Sequence, residues 1–145
     1  MSRLKKLVLA THNPDKKKEM KAAFGRQGLI VLSLDNFPEV GEIEETGATL
    51  LENSLLKART VHRITGLPAI ADDTGLEVDA LDGAPGVFSA RFAGENATYA
   101  DNVNKLLLVM VSVAENVRTA RFRTVASFVD GDRELWTEGV IEGEI

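Results

Sequence analysis

There is no cysteine in these 145 residues, and there are only two histidines, one tryptophan, one tyrosine and four prolines. Without cysteine the chain has no disulfide, no thiolate metal site and no thiol nucleophile. His12 and His62 cannot build a multi-histidine zinc centre, and they make a poor basis for a Ser-His-Asp triad. No apolar run approaches the ~18 residues of a membrane span, and no apolar signal segment follows Met1. Positive charge is not in excess either. Seventeen Lys and Arg face 22 Asp and Glu, for a net charge of −5, which disfavours generic binding to nucleic acid or to an anionic membrane. A local basic cluster can still grip a small phosphate. What is present is 44% apolar residues, enough for the core of one domain. The expectation is one soluble domain over residues 1–145, in a reducing, cytoplasmic compartment.

The pattern along the chain is mixed α/β. Lys6 to Thr11 reads as a buried first strand, stopped by the turn-like His12-Asn13-Pro14-Asp15. Asn13 with Pro14 behind it has the form of a helix N-cap followed by proline at the first helical position. That helix should reach Gly25 or Gln27, burying Met20, Ala23 and Phe24 and ending near Gly25 or Gly28. Leu29–Leu32 supplies a second strand, and the β-helix-β order predicts a parallel crossover. Residues 35–47 read as an acidic loop. Thr49 and Glu52 have capping-box spacing, and Leu51, Leu55, Ala58 and His62 share a face of the helix they open.

Gly66 and Pro68 end that helix. Pro68–Ala71 reads as a third strand leading into Asp72-Asp73-Thr74-Gly75. Leu76–Leu81 alternates as a half-buried strand. Residues 82–97 form a long loop rich in glycine and small residues. Thr98 and Asp101 open a last helix with Leu106, Leu107, Met110 and Val113 inward. Ala120–Val129 and Glu134–Ile141 flank a turn and read as a hairpin.

Chemistry concentrates in three places. In Thr11-His12-Asn13-Pro14-Asp15-Lys16, a strand turns into a helix, so that a hydroxyl, helix N–H groups and a lysine can converge on an anion. Lys17, Lys18 and Lys21 make that helix start basic; the competing reading is a plain cap with a solvated lysine face. Asp72-Asp73 sits at the end of a strand, the edge where open α/β sheets place ligands. Adjacent carboxylates on extended backbone point to opposite faces, so one faces a site and the other bonds to backbone or to Thr74. Glu44 and Glu45 lie in the acidic loop, where carboxylates also suit the helix that follows. Combined with Asp73, one of them would complete a hard-oxygen Mg²⁺ site. Phosphate grip, metal carboxylates and a carboxylate base together suit phosphoanhydride hydrolysis. Pattern alone puts Lys57 on the surface and leaves Ser89, Arg91 and Phe92 as substrate contacts, a lid or a subunit contact. Neither histidine is read as catalytic.

These segments, in this order, resemble the inosine triphosphate pyrophosphatase family, the dITP/XTP pyrophosphatases. The match runs through Leu7–Asn13 with Lys16, Glu44-Glu45-Thr46-Gly47, Glu52-Asn53 with Lys57-Ala58, and Ala69–Leu76. It continues through Gly83–Gly86, Ser89–Gly94, Thr119–Phe122 and Gly139–Ile145, and so spans nearly the whole chain. The resemblance implies a mixed sheet flanked by helices in a two-lobed architecture, and Mg²⁺-dependent hydrolysis of ITP, dITP or XTP to monophosphate and pyrophosphate by a homodimer. Carried over by position, Thr11, His12, Asn13, Pro14, Asp15 and Lys16 hold the triphosphate, with Thr74 as a further substrate contact. Lys57 sets positive charge against the phosphates, and Glu44 or Glu45 ligates Mg²⁺ with Asp73. Asp73 also accepts the proton of the attacking water. Thr74 stands where the family usually has Ser, and the hydroxyl is kept. The family's later Gly-Phe-Gly-Tyr-Asp and Ser-His-Arg segments, which contact base and phosphates, have no counterpart here, so purine discrimination is expected to flatten.

Two other classes bear on the same residues. One is a catalytically impaired nucleotide or phosphate binder or dimerisation module keeping the first lobe, whose signature is Mg²⁺-dependent triphosphate binding without turnover. The other is a Maf-type pyrophosphatase, which would carry Ser-Pro-Arg-Arg where this chain has Thr11-His12-Asn13-Pro14.

Overall fold

The computed structural model describes residues 6–25 and 28–145. β1 (Lys6–Leu9) is apolar and buried from Leu7 to Leu9, and it lies between two parallel partners. On one side β2 (Ile30–Ser33) runs in register from Lys6↔Ile30 to Leu9↔Ser33. On the other, β3 (Ala69–Val78) pairs at Val8↔Ala69 and Leu9↔Ile70. The predicted parallel crossover between the first two strands is therefore present. Its helix, α1 (Pro14–Phe24), starts on Asn13 and is closed by Gly25. It buries no residue completely, contrary to the inward Met20, Ala23 and Phe24 expected of it. Six of its eleven residues are charged, which leaves too few apolar side chains to cover a core face. The alternative end at Gln27 lies outside the described residues.

α2 (Leu50–Thr65) is the buried helix of the fold. Thr49 caps it by accepting the Glu52 N–H, and Gly66, at a φ of 71°, ends it in the left-handed conformation that glycine adopts without strain. Its buried face is Leu50, Asn53, Ser54, Ala58 and Val61, one residue round from the expected stripe of Leu51, Leu55, Ala58 and His62. Rotation by one residue brings Ser54 into the interior, where its Oγ is 3.1 Å from the Ala71 carbonyl oxygen and 2.8 Å from Ser127 Oγ. His62 bridges instead, from the Leu67 carbonyl oxygen to the Gly131 N–H.

Where one strand ending at Asp72-Asp73 and a second from Leu76 were expected, β3 runs unbroken for ten residues. The Asp-Asp-Thr-Gly segment is mid-strand, not at a strand end. β3 also pairs antiparallel with β4 (Pro85–Gly86) inside the long loop. α3 (Tyr99–Val109) opens with a reciprocal Thr98–Asp101 capping box. Met110, just past it, is fully buried, but Leu107 is half exposed and not inward as expected. β5 (Thr119–Asp130) and β6 (Arg133–Glu144) form the expected hairpin around Gly131-Asp132. The result is a six-stranded mixed sheet ordered β2-β1-β3-β5-β6, with β4 on β3.

Two units divide this chain. The first holds residues up to Asp72 and Val125–Thr137, and the second Asp73–Thr124 and Glu138–Ile145. The core of the first joins Val8, Ala10, Leu34, Val40, Ala58, Val61, Ala69, Ala71 and Val129. Val78, Met110 and Ala120 centre that of the second, with Leu76, Leu106 and Ile145 against them. No helix among the described residues is long and apolar enough to cross a membrane.

Removing the Ser54 hydroxyl strands one buried partner, so Ser54→Ala should lower the unfolding free energy by about 1–3 kcal/mol in urea melts. Acid sensitivity follows from carboxyls held below their ordinary range, among them Asp79, Asp101 and Glu134. Asp79 is lowered by the Thr119 hydroxyl and then Arg121, Asp101 by the Thr98 N–H, and Glu134 by hydrogen bonding to Arg59. Groups depressed in the folded state stabilise it above their unfolded pKa and lose that contribution as pH falls through the folded value. The melting temperature should hold down to about pH 4 and drop below it.

Candidate active site

The carboxyl edge of the parallel strands gathers the candidate residues of the first unit. β1 releases the chain at Ala10, whose N–H bonds to the Ile70 carbonyl oxygen, and the Thr11–Lys16 segment leaves from there. Thr11 Oγ1 accepts the Asn13 N–H at 3.1 Å. Asn13 Oδ1 then accepts from Asp15 N–H at 2.9 Å and Lys16 N–H at 3.2 Å. The cap predicted from sequence is therefore formed, and it occupies two first-turn N–H groups that an anion would otherwise meet. His12 is exposed and reaches the Gly41 carbonyl oxygen through Nε2 at 3.0 Å. Pro14 and Asp15 are exposed in the first turn.

Lys16 turns inward and pairs with Asp72, Nζ to Oδ2 at 3.0 Å. Asp72 is therefore balanced by a lysine from α1, not by the backbone or Thr74 as expected. It is 7% exposed, and its other oxygen, Oδ1, is buried without a hydrogen-bond partner among the described residues. Lys57 is not a surface lysine. Its side chain is 14% exposed, and Nζ is 2.7 Å from Glu45 Oε1 and 2.5 Å from the Asp72 carbonyl oxygen. Lys57 lies one turn beyond Asn53 on α2, so its aliphatic stem runs along the buried side of the helix while its ammonium reaches the edge. Glu45 is thereby tied to α2, whereas Glu44 is exposed.

Sequence reasoning missed how the Glu44–Gly47 loop is held. Asn53 Oδ1 accepts the Gly47 N–H at 2.6 Å, and Glu52 Oε2 accepts the Ala48 N–H at 2.6 Å. Asn53 is fully buried, and its amide nitrogen has no partner among the described residues. The available signal was Asn53-Ser54 at helical spacing from Ala58 and Val61: two polar residues on a stripe that otherwise buries apolar groups.

In the second unit, Asp73 opens the chain segment and is 8% exposed. Thr74 Oγ1 shares a hydrogen bond with Thr124 Oγ1 at 2.8 Å. Ser89 Oγ accepts from the Leu76 N–H and donates to the Gly86 carbonyl oxygen, pinning the long loop to β3. The Arg91 guanidinium lies 5.0 Å from the centre of the Phe88 ring, and Lys105 Nζ 4.4 Å from that of Phe92. Thr74, Ser89 and Phe92 line, with Tyr99 and Phe122, a mainly apolar cavity of about 380 Å³.

All the carboxylates named are hard oxygen donors suited to Mg²⁺, and the orphaned Asp72 Oδ1 shows an acceptor with capacity to spare. Among the described residues no three His, Asp or Glu side chains already form a metal-holding group. The arrangement in the first unit is one of stored charge: two lysines, each held against a carboxylate. Lys57→Met removes the donor shared by Glu45 and Asp72. It should cost about 1–3 kcal/mol and speed amide hydrogen exchange over residues 44–48 more than elsewhere.

The Ham1 family model matches residues 7–145. The dITP/XTP pyrophosphatase of Vibrio cholerae is 47% identical over 145 residues, covering 98% of this chain and 72% of that one. The protein of the same name from Photobacterium profundum is 52% identical, covering 98% and 73%. The solved HAM1 protein of Coxiella burnetii superposes with a TM-score of 0.88 at 40% identity, covering 97% of this chain and 73% of that one. By sequence along its length and by fold, the chain belongs to the Ham1 family.

Proposed function

We propose that this chain is a nucleoside triphosphate pyrophosphohydrolase acting on non-standard purine nucleotides of the dITP, ITP and XTP type. The observation that carries the reading is the pair of lysine–carboxylate contacts, Lys16–Asp72 and Lys57–Glu45, gathered where the carboxyl end of β1 gives way to α1 beside β3, a place where α/β sheets take ligands. The substrate class is supported by the printed names of the relatives. A triphosphate brings several negative charges to a partly dehydrated place. Lysines already gathered there lower the cost of its entry, because their desolvation is met in the folded protein.

In this reading, the strand-to-helix segment from Thr11 to Lys16 holds the phosphates, with Thr74 as a further substrate contact, and Lys57 sets charge against them. Asp73 accepts a proton from water as the water oxygen bonds to the α-phosphorus. The bond from the α-phosphorus to the bridging oxygen breaks, and pyrophosphate leaves with that electron pair. Mg²⁺ fits the oxygen donors of this chain; Glu44 or Glu45, with Asp73, are the residues proposed to hold it. When bound it neutralises phosphate charge. We take the working form to be a homodimer, with no nucleic acid or membrane as partner, in the cytoplasm.

The test is release of pyrophosphate from dITP, ITP and XTP, compared with dGTP and ATP, in the presence of Mg²⁺. The expected product is pyrophosphate, and Asp73→Asn should lower turnover by about 10²–10⁴-fold with the fold intact by circular dichroism. Orthophosphate as the product, or equal turnover by the variant, would overturn the assignment. Triphosphate binding without turnover would favour a binding module. Lys16→Ala should raise KM about tenfold or more with a smaller change in kcat, since it removes a ground-state phosphate contact.

A further inference from the structure

Asn53 is an amide buried completely in the first turn of α2, and none of the proposed chemistry uses it. Its Oδ1 takes the Gly47 N–H at 2.6 Å. A methyl group placed on Gly47 would stand 2.6 Å from that same oxygen and 2.7 Å from Glu52 Cβ. The loop backbone therefore approaches α2 more closely than any side chain at position 47 would permit. The neighbouring Ala48 N–H is held by Glu52. Between these contacts and the Glu45–Lys57 pair, residues 45, 47 and 48 are each fastened to the N-terminal half of α2. Among the described residues Glu44 has no such fastening of its own, and it takes its position from the backbone that Asn53 holds.

We propose that Asn53 is a positioning residue for the Glu44 and Glu45 carboxylates, acting through the Gly47 N–H. The inference rests on the reading of those glutamates as Mg²⁺ ligands and deepens it. A ligand carboxylate on a loop must be kept within a fraction of an ångström of its working place, and outer partners that do this are worth about 10- to 100-fold in metal affinity. An asparagine suits the task because its side chain is short, nearly rigid and uncharged. A charged acceptor at this depth would add repulsion against the very carboxylates it positions. The close contact at Gly47 is what makes the hold geometric: a Cβ there would run into Asn53 and Glu52, so the loop backbone rests directly against α2.

The experiment compares the parent protein with Asn53→Ala, Asn53→Ser and Gly47→Ala. Mn²⁺ binding is followed by electron paramagnetic resonance in the presence of a non-hydrolysable α,β-methylene inosine triphosphate. The Mg²⁺ concentration giving half-maximal pyrophosphate release is measured in parallel, with melting temperatures as the control. Asn53→Ala and Gly47→Ala should each weaken Mn²⁺ binding about tenfold or more and raise the half-maximal Mg²⁺ by a similar factor. Asn53→Ser keeps a short oxygen acceptor and should recover part of the loss. Lowered melting temperature with unchanged metal dependence in both Asn53→Ala and Gly47→Ala would overturn the proposal and leave Asn53 a packing residue. If Asn53→Ala does not fold, Gly47→Ala decides alone, since it disturbs the same contact from the loop side. A parent protein whose triphosphate complex binds no Mn²⁺ would overturn the metal assignment itself and the inference with it.

Discussion

Burying a carboxylate in the middle of a β-strand costs several kcal/mol unless a cation and hydrogen bonds compensate it. Asp72 is in that position, 7% exposed on a strand that continues past it in both directions. Its compensation comes from two helices. Lys16 of α1 meets the carboxylate, and Lys57 of α2 meets the backbone carbonyl of the same residue. The arrangement of the first unit follows from this. α1 must leave β1 at the edge that lets Lys16 reach β3, and α2 must turn its Lys57 side toward the same residue. Lys57 in turn draws Glu45 in. A single strand position thus fixes two helices and one loop.

The same requirement explains why α2 carries so much of the fold while looking only moderately amphipathic. Apolar Leu50, Ala58 and Val61 join the core, but Asn53 and Ser54 occupy the intervening buried positions. Each buried polar side chain there has a backbone or hydroxyl partner: Gly47 for Asn53, and Ala71 and Ser127 for Ser54. Such a face gains less from apolar burial than a leucine-rich one would. It gains register instead, because only one rotation of the helix satisfies Asn53, Ser54 and Lys57 together. α1, by contrast, is a charged, superficial helix whose structural contribution is concentrated in its cap and in Lys16.

For phosphoanhydride chemistry, preorganised charge matters more than an open pocket. The first unit holds its lysines and carboxylates in mutual contact; in the proposed reaction, a triphosphate and a divalent cation would take over these partners without leaving a buried charge bare. The second unit contributes a different kind of surface. Its cavity among Phe92, Tyr99, Phe122 and Leu106 is mainly apolar. Ion pairs join Arg121 to Asp79, just past β3, and to Glu142, and Arg123 to Glu77 and Glu138.

What the sequence determined by itself is local and short in range. Asn13-Pro14 specifies a helix start, Thr49 and Thr98 specify two more, Gly66 a stop and Gly131-Asp132 a hairpin turn. Each depends on backbone preferences within a few residues. The ordered motifs from Leu7 to Ile145 were equally legible, because they are strings of residue types that need no coordinates, and they led to the family. Tertiary structure decided everything that depends on which long-range partner wins. Asp-Asp-Thr-Gly has the composition of a turn, yet it lies inside the ten-residue strand β3, which the sheet flanks with β1 and β5. Leu51 and Leu55 are as apolar as Leu50, yet the polar contacts of Ser54 and Asn53 select the rotation of α2. Lys57 reads as a surface lysine until Glu45 and Asp72, distant in the chain, are brought to its ammonium. Hydrogen bonds and ion pairs between segments far apart in sequence are absent from any local pattern, and those contacts assemble the site.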